Sequence, residues 1–339
     1  MTSAHVDNHN KFSTRSSKLP LDESEALRLA RICSGTHVVS VELSQIAELW
    51  GGMGHVYRAS PVGSGDFIIK FMNPRMSSRH PSVGDKRKLN SYLVEAHFYQ
   101  SYSKELAAEG IGLANCLFVE TEGTKTTICL SVLHDAPHVN FHQQTLEWLA
   151  DFHAVTWNKA CPGLQEVGTY WHLQTRKEEH HRMSSRGWEG RLKLAARAID
   201  EWLKATDIQS WVHGDPKEEN VLWNGHQIAL CDFQYVGRGC PAKDVAYFLC
   251  SCGIAQDSQL VDTYYNRLCS KLNKVPSRKD FDVALELAFC DYLRFMCGWG
   301  IWGSDISQRV IKMLEKIDGG ARLTSEEAYI EALNQIFPN

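Results

Sequence analysis

Residues Val212–Trp223 read VHGDPKEENVLW. Between apolar flanks, this run places His213, Asp215, Lys217 and Asn220 within one short stretch. Polar loops are common at protein surfaces, so the run acquires meaning only from the residues downstream of it. Asp232 closes the apolar segment IALCD, and the intervening VLWNGHQIAL reads as a β-hairpin turning at Asn224-Gly225. Such a hairpin returns Asp232 to the neighbourhood of Asn220. Asp215, Asn220 and Asp232 are therefore expected to converge on one cleft.

Two carboxylates and an amide in one cleft suit phosphoryl transfer from ATP, where the protein's task is positioning and charge neutralisation. Asn220 and Asp232 offer hard oxygen ligands for Mg²⁺. Asp215 is placed to accept the proton of an attacking hydroxyl, and Lys217 to set positive charge beside the migrating group. Pro216 disfavours helical backbone at Asp215 and so helps hold this segment as a loop.

Upstream, Gly51, Gly52 and Gly54 fall between two strand-like runs, where glycine lets backbone approach phosphates. Lys70 lies in FIIKFM, a strand pattern in which a charge between apolar neighbours requires a partner. Glu95, in the next helical pattern, can supply it. The order of elements is a short helix in LDESEALRLARICSG, three strands, a helix over 86–108 stopped by Gly110, and a hairpin in CLFVETEGTKTTICLSVL. After the linker HDAP the pattern becomes mostly helical, including QQTLEWLADFHAVTW, 191–203 and 280–302. RKEEHHRMSSRGWEGR reads as a solvated helix face and loop.

The motifs FIIKF, SYLVEAHFY, LADFHA, VHGDPKEENVLW and CDFQYVGRGCPAKDVAYFL together resemble the protein-kinase-like superfamily, in its aminoglycoside phosphotransferase and choline kinase branch. The nearest likeness is to the ecdysteroid-kinase-like (CHK-kinase-like) family. The resemblance implies a bilobal α+β fold, with a small antiparallel sheet and one main helix in the N-lobe and a larger helical C-lobe. With the polar composition of 1–20 and the order of elements, the expected division is a disordered tail over 1–20, an N-lobe over 21–134 and a C-lobe over 135–339. Asp215 would be the base, Asn220 and Asp232 the metal ligands, Lys70 the phosphate contact and Glu95 its orienting partner. His213 and Asp244 match scaffolding positions. Lys217 fills a position held by Lys in many protein kinases, and GGMGHV departs from the full glycine-rich pattern of that family.

Eleven residues separate Asp232 from Asp244, with no A-P-E motif after them and Gln234 where a protein kinase has Gly. The acceptor is accordingly expected to be a small molecule with a free hydroxyl: a steroid-like alcohol, an amino alcohol or a sugar. Two alternatives stay open at this level, an inactive pseudokinase serving as a binding module and an atypical protein kinase. Tyr292, Phe295, Trp299 and Trp302 share one helix face and are either core or the wall of an apolar or cation-binding pocket. Asp291 beside them is a candidate for an ammonium or hydroxyl group.

The chain has 339 residues, 43% of them hydrophobic and 22% charged, which suits a two-lobed globular protein. A net charge of −4 supplies no global field for nucleic acid or membrane lipid. The most apolar helix pattern is interrupted by Glu286, Asp291 and Arg294, unlike a membrane span. Eleven cysteines without metal-finger spacing fit reduced thiols and a cytoplasmic location. The first twenty residues lack the apolar stretch of a secretory signal and read as a disordered tail, with an organelle transit peptide left open by their Ser, Thr, Lys and Arg content.

Overall fold

The computed structural model describes residues 21–49, 52–73 and 83–338. Gly51 and the tail expected over 1–20 lie outside the described residues.

Helix α1 (Glu23–Ser34) starts where Asp22 accepts the Glu25 N–H, with Glu23 and Glu25 favourably placed in its first turn, and it stops at Gly35. Strands β1 (Val41–Glu48), β2 (Gly54–Pro61) and β3 (Phe67–Met72) come after it. Next are α2 (Val83–Ser101), α3 (Ser103–Ala108), β4 (Cys116–Glu122) and β5 (Lys125–Ser131). The five strands form one antiparallel sheet in the order β1-β2-β3-β5-β4.

Strand alternation sets up the sheet's two faces. Phe67, Ile69 and Phe71 pack with Leu29, Ala30 and Tyr57 beneath α1, whereas Met72 joins the main core on the opposite face. Lys70 shares that opposite face, which is why an apolar strand delivers a lysine towards α2. The single helix expected over 86–108 is instead two helices. Their junction is at Tyr102, whose backbone leaves helical geometry, and the Ser103 hydroxyl donates back to the Tyr99 carbonyl. Gly110, just after α3, has a φ of 88°.

The rest is predominantly helical. β6 (His134–Asp135), α4 (Phe141–Val155), α5 (Lys177–Arg182) and α6 (Gly187–Ala205) lead to β7 (Ser210–Val212). The hairpin of β8 (Val221–Trp223) and β9 (Ile228–Leu230) then precedes β10 (Gly237–Gly239), which pairs with β7. The final helices are α7 (Ala242–Ser251), α8 (Ser258–Lys271), α9 (Arg278–Trp299), α10 (Ser307–Asp318) and α11 (Glu326–Ile336). Helix α9 is the axis of this lobe and packs against α5, α6, α7 and α10. It ends at Trp299 because Gly300 takes a φ of 136°. Trp302 therefore lies beyond the helix and not on a continuous stripe with Tyr292.

The two lobes meet around Phe233, which is fully buried. Its ring stacks on Phe98 of α2 at 4.0 Å and meets Tyr99 of α2, Trp148 and Phe152 of α4, and His213. Among the described residues no helix is long and apolar enough to cross a membrane. Phe233→Ala would leave a void in the middle of this aromatic cluster. Its expected cost is about 3–5 kcal/mol, read as a lower urea midpoint with native-like circular dichroism before the transition.

Candidate active site

The hairpin inferred from the sequence is present. Val221 pairs with Leu230, and the Asn224 side chain caps the turn by accepting the N–H groups of His226 and Gln227. The Cys231 N–H donates to the Asn220 carbonyl, which ties the segment carrying Asp232 to the segment carrying Asn220.

Residues 213–220 form a loop because Asp244, at the start of α7, is anchored beneath them. Its carboxylate accepts the backbone N–H groups of both His213 and Gly214, and also His153 Nε2 at 3.2 Å. His153 Nδ1 in turn accepts from the Tyr264 hydroxyl at 2.8 Å. Gly214 has a φ of 86°, and a Cβ there would lie 2.5 Å from the Tyr235 carbonyl, so only glycine fits. His213 donates through Nε2 to the Cys231 carbonyl and accepts the Asp215 N–H at Nδ1. It is fully buried, and burial lowers its proton affinity, so it acts as a neutral strut.

Asp215 is buried, and three groups hold its carboxylate. Tyr247 donates to Oδ1 at 2.7 Å, Asn220 Nδ2 lies 3.2 Å from Oδ2, and Lys217 Nζ stands 3.4 Å from Oδ2. Burial raises its pKa to about 6, with Lys217 pulling the other way. Asn220 also donates Nδ2 to the Asp215 carbonyl at 2.8 Å, which leaves its Oδ1 as the atom able to act as a ligand.

Lys70 links the lobes. Its ammonium lies 2.6 Å from Glu95 Oε2 on α2 and 2.7 Å from Asp232 Oδ1. Burial opposes its charge, but the two carboxylates more than offset this and raise its proton affinity. Burial likewise works to raise Asp232, yet Lys70 brings it down to about 2. Glu95, the more deeply buried partner, is pushed up by burial against the pull of Lys70. Asp232 adopts left-handed backbone, with φ 67° and ψ 59°. That geometry is unfavourable for a side-chain residue, and here it turns the carboxylate towards Lys70.

A cavity of about 580 Å³ opens between the lobes, with Asp215, Lys217 and Asp232 on its wall. Among the described residues of the glycine-rich turn, Met53 lines it. Gly52 has a φ of 68°, and a Cβ on Gly54 would meet the Phe71 carbonyl at 2.2 Å. Both glycines thus serve the tight β1–β2 turn and its close approach to β3.

Several residues at this site were not singled out by sequence reasoning. Tyr247 lies three residues after Asp244 on α7, and its spacing was the one available sign that both face the loop. Lys88 on α2 reaches Gln234 Oε1 at 3.0 Å, and Gln234 Nε2 donates to Asp232 Oδ1 at 2.6 Å. Gln234, at the position where a protein kinase has glycine, therefore ties α2 to Asp232. Arg176, expected on a solvated face, is half-buried in the cavity wall. Asp291 is not available to a ligand: it is wholly buried and neutralised by Lys243 at 2.9 Å and Arg294 at 2.8 Å. Tyr292 and Phe295 are core, whereas Trp299 lines the cavity.

This fold and site define a class, the bilobal small-molecule kinase. The chain belongs to the phosphotransferase enzyme family (APH), whose model matches residues 45–280. No curated protein sequence matches it. Its fold is similar to that of amicoumacin kinase hAmiN in complex with AMP-PNP, Ca²⁺ and Ami, at 12% identity, with 89% of this chain and 95% of that one covered and a TM-score of 0.54. It is also similar to choline kinase from Cryptosporidium parvum Iowa II, at 12% identity, 94% and 98% coverage and a TM-score of 0.54. The aminoglycoside-3'-phosphotransferase of type VIII aligns at 16% identity over 80% of this chain and 98% of that one, with a TM-score of 0.50.

Asp244→Ala would strand two buried N–H groups and remove the anchor of the loop. A loss of about 3–5 kcal/mol is expected, on the scale of breaking a buried charged network. Thermal melting reads it, and Asp244→Asn, which keeps acceptor oxygen, should lose less.

Proposed function

We propose that the chain transfers the γ-phosphoryl group of ATP to a hydroxyl of a small molecule, with Asp215 as the base. The observation that carries this reading is the shared cavity wall. A buried carboxylate, fixed by Tyr247 and Asn220, faces the same space as Asp232, which Lys70 secures to the sheet. The acceptor's O–H loses its proton to Asp215 as its oxygen bonds to phosphorus, and the bond to the β–γ bridging oxygen breaks to release ADP. Lys217 sits beside Asp215 to balance charge on the group in transit.

The donor set suits a divalent cation of the Mg²⁺ type. Among the described residues no group of three or more His, Cys, Asp or Glu could by itself hold a metal. A pair such as Asn220 Oδ1 and Asp232 Oδ2 instead matches Mg²⁺, which commonly takes one or two protein oxygens and completes its shell with phosphate and water. When bound, the cation would neutralise charge on the phosphates. The neighbour holding AMP-PNP and Ca²⁺ supports a nucleotide and divalent metal in this fold. We place Lys70 against the phosphates, with Glu95 orienting it. The glycine-rich turn would approach the phosphates through Met53, with Gly52 and Gly54 allowing its tight backbone. A pseudokinase would be expected to lack the base, a metal ligand or the strand lysine, and this chain keeps all three.

Asp215→Asn should lower turnover about 10²–10⁴-fold while Mg·ATP still raises the melting temperature. Asp232→Ala should instead abolish that Mg²⁺-dependent rise; normal turnover by Asp215→Asn would remove the proposed base. Because the base must be ionised, kcat should fall as pH drops through about 6. Tyr247→Phe deletes a hydrogen bond that favours the carboxylate, so this acid limb should move to higher pH, as a pH–rate profile would show.

A further inference from the structure

The cavity wall also includes Tyr170, Thr175, Arg176 and Trp299, and the Tyr170 hydroxyl lies 3.2 Å from that of Tyr247, which holds Asp215. Tyr170 and Trp299 on this wall, with the buried ring of Phe295 behind them, stand in the arrangement that could cage a quaternary ammonium ligand. The protein's own guanidinium fills that cage. Arg176 Cζ lies 4.9 Å from the Trp299 ring centroid, 5.3 Å from Tyr170 and 5.5 Å from Phe295.

Packing fixes this position. A Cβ on Gly298 would lie 1.9 Å from the Glu179 carbonyl, so α5 and α9 touch backbone to backbone one residue before Trp299. Arg176 Nε donates to the Tyr170 carbonyl at 2.8 Å, and Nη1 reaches Glu179 at 3.4 Å. A guanidinium has five N–H donors. Among the described residues these two contacts leave the remaining donors, including both on Nη2, for the cavity. Arg87 lines the same cavity. Burial lowers the proton affinity of Arg176, and the Glu179 carboxylate works against that effect.

Glu179, against Nη1, offsets part of the Arg176 charge. The carboxylates on the cavity wall are themselves engaged: Asp215 is held by Tyr247 and Lys217, Asp232 by Lys70 and Gln234, and Asp85 has a partner of its own. Resting on the phosphotransferase reading above, we propose that the acceptor alcohol carries an oxyanion, a carboxylate or phosphate, bound by Arg176. A quaternary ammonium group is kept out of this cage because Arg176 already occupies it. Planar carboxylate and phosphate groups match the guanidinium fork.

The test is ADP release with Mg·ATP against acceptors matched in shape and differing in charge. One set is 4-(hydroxymethyl)benzoate, 4-methylbenzyl alcohol and 4-(hydroxymethyl)phenyltrimethylammonium. Glycerate, 3-hydroxybutyrate and glycerol phosphate form a second set beside choline, with the glycerate and glycerol phosphate arms separating carboxylate from phosphate. The expected result is that an anionic alcohol has the highest kcat/KM, at least about tenfold above its cationic counterpart, on the scale of one charge-assisted hydrogen bond. Arg176→Gln keeps a donor for the Tyr170 carbonyl and should raise KM for that acid about tenfold or more, with KM for ATP unchanged. Arg176→Ala should empty the cage and acquire tetramethylammonium binding that the parent chain lacks, read by calorimetry. Turnover of a cationic alcohol as fast as any acid, or no acid used by a chain that Mg·ATP stabilises, would overturn the inference and leave the phosphotransferase reading standing. Absence of any nucleotide stabilisation would overturn both.

Discussion

A buried ammonium cannot stay charged without partners, and Lys70 finds its two on different parts of the chain. Glu95 comes from α2 and Asp232 from the segment after β9, 162 residues away in sequence from Lys70. Desolvating all three groups is costly, and the contact holds only where each charge is countered. The sheet, α2 and the Asp232 segment therefore have to arrive together. Much else in the molecule can be understood as securing that meeting: the alternation that turns Lys70 away from α1, the stack of Phe98 on Phe233, and the bridge from Lys88 and Ser91 through Gln234 to Asp232.

The opposite wall rests on a second anchor that shares no residue with the first. Asp244 holds the backbone of His213 and Gly214, and Tyr247 from the same helix holds the Asp215 carboxylate. Helix α7 is itself packed on α9. The proposed reacting groups thus sit on short loops that rigid helices pin from behind. Such support limits the freedom of the reacting side chains, as preorganised catalysis requires.

What the sequence made legible was local or spaced regularly. Asp22 and Gly35 mark the ends of α1, Asn224-Gly225 marks the hairpin, and the order of Lys70, Glu95, Asp215, Asn220 and Asp232 could be read without coordinates. Features that depend on contacts between distant elements were not visible. Arg176 reads as one more charge in a polar run, and only the approach of α5 to α9 at Gly298 shows that it is enclosed. Asp291 reads as a free acid until Lys243, on another helix, is found beside it. The break at Tyr102 arises from backbone geometry that no single residue announces. The end of α9 was available, since Gly300 and Gly303 flank Trp302, but the aromatic spacing suggested continuity more strongly than the glycines suggested a stop.

The span from Asp232 to Asp244 is short and fully structured, comprising a turn of 3-10 helix, β10 and the start of α7. Both its ends are tied down, one to Lys70 and the other to the loop of His213. A chain segment this brief and this constrained has no slack with which to swing between two positions. An enzyme built so is assembled once it has folded, and a phosphate attached between those two aspartates would have no mobile strand to rearrange.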